Sequence, residues 1–264
     1  MIMLIGVPHD FNSSFLRGAA LAPSRIRLME KDGSSNMFSQ LGIPIEEDET
    51  YYDAGDITFS SNHGEDVYKN IQSNINAQLM HNHKLICLGG DHSISYPIIE
   101  CHAEKYEGLN VLQIDAHGDL YENYEENPFS HASPFARLME TGLINSLTQV
   151  GIRSLNTHQR EQISKYNVNT IEMKDFNFDF ISTLKPPLYI SIDLDGLDPS
   201  FAPGVSHHEP GGLTTREVFK IIHTIPFPII GADIVEYNPT RDINNMTAMV
   251  AYSLFKELVT KMMD

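Results

Sequence analysis

The sequence predicts a three-layer α/β/α fold around a mainly parallel central sheet. Apolar, β-branched runs alternate with amphipathic helical stretches from one end of the chain to the other. Three of those runs end in Asp or His, the pattern of an open parallel sheet that builds its site at the carboxyl edge of its strands. No internal repeat or low-complexity segment breaks the alternation, and 264 residues suit one α/β core, so residues 1–264 read as a single domain.

Residues 1–8 read as the first strand; Met1-Ile-Met-Leu-Ile5 is too short and lacks the basic flank of a leader. A polar loop with Asn12, Ser13, Ser14, Arg17 and Gly18 leads to a helix over 22–31, where Pro23 sits early enough to be tolerated. Residues 48–57 carry a short strand among acids. Val67, Ile71, Ile75 and Leu79 give a helical period over 63–83. A strand over 84–88, a helix over 95–106 and a strand over 110–114 follow. The loop 120–131 is long, and long loops at the carboxyl edge of a sheet tend to be functional. Beyond it the expected elements are a helix over 134–141, a strand over 147–152 ending at Arg153, a helix over 157–166 and a strand over 168–173. A strand over 184–194 comes next. Thr214-Thr-Arg-Glu217 is a capping box opening a helix to about 223. A last strand over 228–235 ends at Glu236, and a helix over 244–263 closes the chain.

The chemistry concentrates at three strand ends. Leu188 to Leu194 finishes in Asp193-Leu-Asp195-Gly-Leu-Asp198, and side chains two apart on a strand share a face. Two carboxylates so close repel each other unless a cation lies between them. The strand 110–114 ends in Asp115-Ala-His117-Gly-Asp119, and the strand 84–88 in Gly89-Gly-Asp91-His92. His92, Asp115, His117, Asp119, Asp193 and Asp195 therefore offer four carboxylates and two imidazoles, a set whose charge balances two divalent ions. Oxygen and imidazole donors without thiolate favour Mn(II) over Fe, Co, Ni or Zn.

Gly89-Gly-Asp-His-Ser-Ile-Ser-Tyr-Pro97, Asp115-Ala-His-Gly-Asp119 and Ser191-Ile-Asp-Leu-Asp-Gly-Leu-Asp-Pro-Ser-Phe-Ala-Pro-Gly204 resemble the three signatures of the ureohydrolase family, that of arginase, agmatinase and their relatives. The similarity covers nearly the whole chain. It is closest to the plant-type arginases through Ser130-His-Ala-Ser133, Gly204-Val-Ser-His207, Glu209-Pro-Gly-Gly-Leu213, Asn238-Pro-Thr-Arg-Asp242 and Met246-Thr-Ala-Met-Val250. The resemblance implies an arginase-like fold, two Mn(II) ions per chain and a trimer or hexamer. It assigns His92, Asp115, Asp119 and Asp193 to one ion, and Asp115, His117, Asp193 and Asp195 to the other, with Asp115 and Asp193 bridging. It further implies that Glu236 grips a substrate guanidinium, that His131 passes a proton to the leaving amine, that Asp119 is among the catalytic groups and that Asn127 meets the substrate. Asp91 and Asp198 read as turn residues or outer supports, and His207 and His208 as rim residues.

The implied reaction is hydrolysis of a guanidino group to release urea. Arginine to ornithine leads; agmatine to putrescine, or another guanidino compound, is the alternative. Animal-type arginases hold the amino-acid end of the substrate with a threonine- and asparagine-rich loop, whereas Leu120-Tyr-Glu-Asn-Tyr-Glu-Glu-Asn-Pro-Phe129 departs from that pattern. Glu122, Glu125 and Glu126 would favour dicationic agmatine if they face the pocket. Two other classes are a single-zinc deacylase on a related fold, disfavoured by His92 and Asp119, and a non-catalytic regulatory relative, which would have lost a ligand or His131.

A formal charge of −17 argues against nucleic-acid binding, and no apolar run approaches the ~20 residues that span a bilayer. Cys87 and Cys101 form no disulfide framework, which with the missing leader points to the cytoplasm.

Overall fold

The computed structural model describes residues 1–263. Its elements are β1 (Ile2–Val7), α1 (Ala22–Lys31), β2 (Tyr52–Asp56), α2 (Gly64–Met80), β3 (Lys84–Gly89), α3 (Ser95–Lys105), β4 (Asn110–Ile114), α4 (Pro134–Thr141), β5 (Ser146–Ile152), α5 (Thr157–Tyr166), β6 (Asn169–Glu172), β7 (Leu188–Asp193), α6 (Thr215–Thr224), β8 (Gly231–Val235) and α7 (Met246–Met263). The strands form one sheet in the order β2-β1-β3-β8-β7-β4-β5-β6, parallel throughout. The predicted fold class is the one found.

Alternation along the strands builds both cores. Ile2, Leu4, Ile86, Leu88, Leu112, Ile114, Ile190 and Ile192 face α1, α6 and α7. Met3, Ile5, Leu85, Cys87, Val111 and Tyr189 face α2, α3 and α4, where Val67, Ile71, Ile75 and Leu79 are buried at the expected spacing. The central strands are fully buried, so they read as continuous apolar runs. β2, on the edge, is largely exposed and short.

Several boundaries differ from expectation, each for a local reason. The helix expected to 83 stops at Met80, because Asn82 takes a left-handed φ of 59°. The strand expected over 184–194 is shorter: a 3-10 helix covers Asp179–Thr183, β7 begins only after Pro187, and Leu194–Gly196 is again a 3-10 turn. Asn244 and Asn245, at φ of 50° and 59°, delay α7 to Met246. The capping box at Thr214 and Glu217 is formed as predicted.

The chain lays down β1, β2 and β3, jumps to β4, β5 and β6, and only then fills the gap with β7 and β8. The four strands β3, β8, β7 and β4 thus stand side by side with their carboxyl ends together. In an open α/β sheet, such a reversal of strand order is where a crevice opens.

Candidate metal centre

Each ligand segment leaves its strand in a tight turn. After β3 the backbone presses against the end of β1, and a Cβ on Gly90 would lie 1.9 Å from the His9 carbonyl oxygen, so only glycine fits. Asp91 then caps a 3-10 turn that presents His92. Asp115 follows β4 directly, and the same segment ends at Asp119 with φ 47°, a left-handed conformation costly for a residue other than glycine and typical of functional positions. Asp195 sits not on β7 but in the turn after it, so Asp193 and Asp195 do not share a strand face; the Asp193 carboxylate instead accepts the Asp195 N–H at 2.8 Å.

The six predicted ligands converge. His92 Nδ1 lies 2.9 Å from Asp119 Oδ2, 3.1 Å from Asp115 Oδ2 and 3.2 Å from Asp193 Oδ2. His117 Nδ1 lies 3.1 Å from Asp195 Oδ2 and 3.5 Å from Asp115 Oδ1. Asp115 thus turns one oxygen to each imidazole, as a bridging carboxylate does. Asp193 Oδ2 reaches the His92 group, while its Oδ1 is the atom that holds Asp195.

Two observations fit a pair of cations. His92 Nδ1 is enclosed and has no hydrogen-bond partner, although three carboxylate oxygens surround it. The four aspartates are buried, and Arg153, which lines the same pocket, directs its N–H groups to the carbonyls of Gly151, Asp195, Gly196, Leu197 and Glu209 rather than to a carboxylate. Buried carboxylates without such partners are costly unless metal ions neutralise them.

Beside the cluster stand His131 and Glu236. His131 Nδ1 meets Glu236 Oε1 at 2.9 Å, and its Nε2 meets Ser14 Oγ at 2.8 Å. Glu236, at φ 62°, also accepts the His92 N–H at 2.8 Å. Burial opposes charge on His131, but the Glu236 carboxylate outweighs it and raises the imidazole to about 9. The cavity is about 410 Å³ and is lined by both of these, by His117, Asp119, Asp193 and Asp195, and by an outer wall that includes Tyr121, Tyr124, Asn156 and Gln159.

A model of the arginase family matches residues 1–260. The chain belongs to the arginase family. It is 44% identical to "Arginase 1, mitochondrial" of Arabidopsis thaliana over 98% of this chain and 80% of that protein. It is 30% identical to an agmatinase of Bacillus cereus over 98% of this chain and 90% of that one. The solved structure "Arginase from Medicago truncatula" superposes with a TM-score of 0.91 at 40% identity, covering 99% of this chain and 87% of that chain. This arginase-family chain is therefore a metal-dependent amidinohydrolase, and two groups of its side chains, His92 with Asp115 and Asp119, and Asp115 with His117 and Asp195, could each hold a metal ion.

Three sequence expectations look different in this arginase-family structure. Glu122, Glu125 and Glu126 are exposed and none lines the cavity; Glu122 pairs with Lys165 at 2.7 Å. These three charges therefore do not favour a dicationic substrate over a zwitterionic one. Asn127 does not line the cavity either: its amide donates to Asn12 at 3.4 Å and accepts from the Phe129 N–H, pinning the loop. His207 lines the cavity, with its ring 5.5 Å from that of His131, whereas His208 is exposed and bonded to the Pro203 carbonyl. Asp91 and Asp198 are turn residues, the first holding Asn12 and Ser93, the second Ser200 and Gly211. Sequence reasoning did not assign Ser14 or Arg153 a role. Ser14 reaches His131 from 117 residues away, and no local pattern marks such a contact.

Proposed function

We propose that the chain is an arginase that hydrolyses L-arginine to L-ornithine and urea with two Mn(II) ions. The observation that carries the reaction is the Glu236–His131 pair at the edge of the six-ligand cluster. Glu236 presents a carboxylate to the cavity, and a planar guanidinium matches a carboxylate through paired N–H bonds. Manganese is favoured by a donor set of carboxylates and imidazoles without sulfur. When bound, the ions supply the Lewis acidity that makes water nucleophilic near neutral pH.

The chain's own groups move the protons. Asp119 lines the cavity, where its carboxylate would accept the proton of the attacking water. As water adds to the guanidinium carbon, His131 delivers its proton to the leaving amine, the carbon–nitrogen bond breaks, and urea and ornithine separate.

Arginine is favoured by 44% identity to a plant arginase against 30% to an agmatinase. One observation favours agmatine as a second reading. Arg153 is the only Lys or Arg among the lining residues, and its N–H groups already serve carbonyls, so a substrate carboxylate would depend on neutral donors such as Asn156. The deciding measurement is kcat/KM for both compounds after Mn(II) loading. An arginine preference of about tenfold or more is expected, and the absence of urea from any guanidino compound would end the proposal.

We further propose a homo-oligomer, a trimer or hexamer, supported by family membership and by exposed Phe201, Ile243 and Met246. Light scattering in solution checks it. A cytoplasmic location is supported by two free, buried cysteines, and fractionation tests it against the mitochondrial naming of the plant relative.

A further inference from the structure

Asp233 lies in the middle of β8, fully buried on the face that otherwise packs Tyr189 and Val235 against helices. A carboxylate there costs free energy that an apolar residue would not. Its partners show what it holds. Sheet register pairs it with Ser191 of β7, whose Oγ donates to Asp233 Oδ1 at 2.6 Å. Tyr189 OH donates to the other oxygen at 2.9 Å. Ser191 Oγ is also 3.0 Å from His92 Nε2.

A serine hydroxyl has one proton. Because that proton goes to Asp233, Ser191 can only accept from His92, so Nε2 must carry a hydrogen. When the ring gives up a proton to bind a cation, the hydrogen therefore stays on Nε2, and Nδ1, the nitrogen enclosed by Asp115, Asp119 and Asp193, is the one that offers its lone pair. Without Asp233 the hydroxyl could turn and donate to Nε2, which moves the ring hydrogen to Nδ1 and blocks it. His117 has a different support: its Nε2 lies 3.7 Å from Glu209 Oε1, at a half-exposed rim.

We infer that Asp233 and Ser191 are a positioning pair that fixes the His92 tautomer and so controls metal occupancy of the His92 subsite independently of the His117 subsite. The inference rests on the binuclear reading above. It assigns a role to two residues that touch neither the ions nor the substrate.

Mn(II) titration of the full chain, reading free ion by its EPR signal, tests it on wild type, Ser191→Ala and Asp233→Ala, with thermal unfolding of each metal-free protein alongside. The expected result is two tight sites in wild type. In each variant one site should weaken by about 10- to 100-fold while the other keeps its affinity. Ser191→Ala removes a single oxygen, so it decides the matter even if Asp233→Ala does not fold. A folded Ser191→Ala protein that retains two sites of wild-type affinity overturns the inference alone, as does equal weakening of both sites, the mark of a merely structural role. Wild type that binds fewer than two ions overturns the binuclear reading and the inference with it.

Discussion

His131 stands between Glu236 Oε1 at 2.9 Å and Ser14 Oγ at 2.8 Å, and with its pKa raised to about 9 both ring nitrogens carry hydrogen at neutral pH. The folded value exceeds the ordinary 6.5, so the pair stabilises the fold fully below about pH 6.5, and the contribution is lost as pH rises through 9. The bound on it is about 3 kcal/mol. In metal-free protein, the stability difference between wild type and His131→Asn should hold steady below pH 6.5 and shrink between pH 7 and 9; a difference that is flat with pH would refute the coupling. Glu236 provides a second test. It ligates no ion in the proposed arrangement, so Glu236→Gln should leave the metal content at two per chain while kcat/KM for arginine drops about 100-fold or more, the scale of losing a charged partner to a buried cation. Loss of bound metal in that variant would mean that its role lies in the cluster instead.

At the scale of elements, much was legible because the signals are local. The period of Val67, Ile71, Ile75 and Leu79 marks α2, the capping box marks α6, and every ligand lies within five residues of a strand end. What failed depends on backbone conformation or distant contacts. Glu125 and Glu126 adopt φ of 51° and 61°, which no composition argument anticipates, and the loop turns its acids outward. The order of β7 and β8 between β3 and β4, and the meeting of Ser14 with His131, arise only when the sheet closes. Replacing Glu122, Glu125 and Glu126 together by Gln should therefore change the agmatine to arginine ratio of kcat/KM by less than about twofold, since exposed charges outside the cavity are screened; a shift towards arginine of tenfold would show that the loop folds over the site during turnover. Thr214→Ala, which removes the hydroxyl that accepts the Glu217 N–H at 3.1 Å, should cost about 1 kcal/mol in urea unfolding without altering metal binding.

At the scale of the molecule, the fold gathers like charges that do not balance without ions. In the metal-free protein burial works against charge on His92 and His117, but the surrounding carboxylates prevail and hold both imidazoles well above their ordinary value, hence protonated at pH 7. Metal ligands must give up those protons, so binding two ions at pH 7 should release about two protons or more per chain. Calorimetric titration in buffers of different ionisation enthalpy measures this, and a proton count near zero would contradict the assigned ligands. The same ions would tie together the ends of three strands, β3, β4 and β7, and would bind the folded state alone. At free metal about 100-fold above Kd each contributes about 2.7 kcal/mol, or roughly 5 kcal/mol for the pair. For a domain of this size that is a fall in Tm of about 10–20 °C on chelation, reversed by adding Mn(II). A thermal midpoint indifferent to chelator would show that the six side chains hold their geometry without cations, and that the sheet, not the metal, stabilises the crevice.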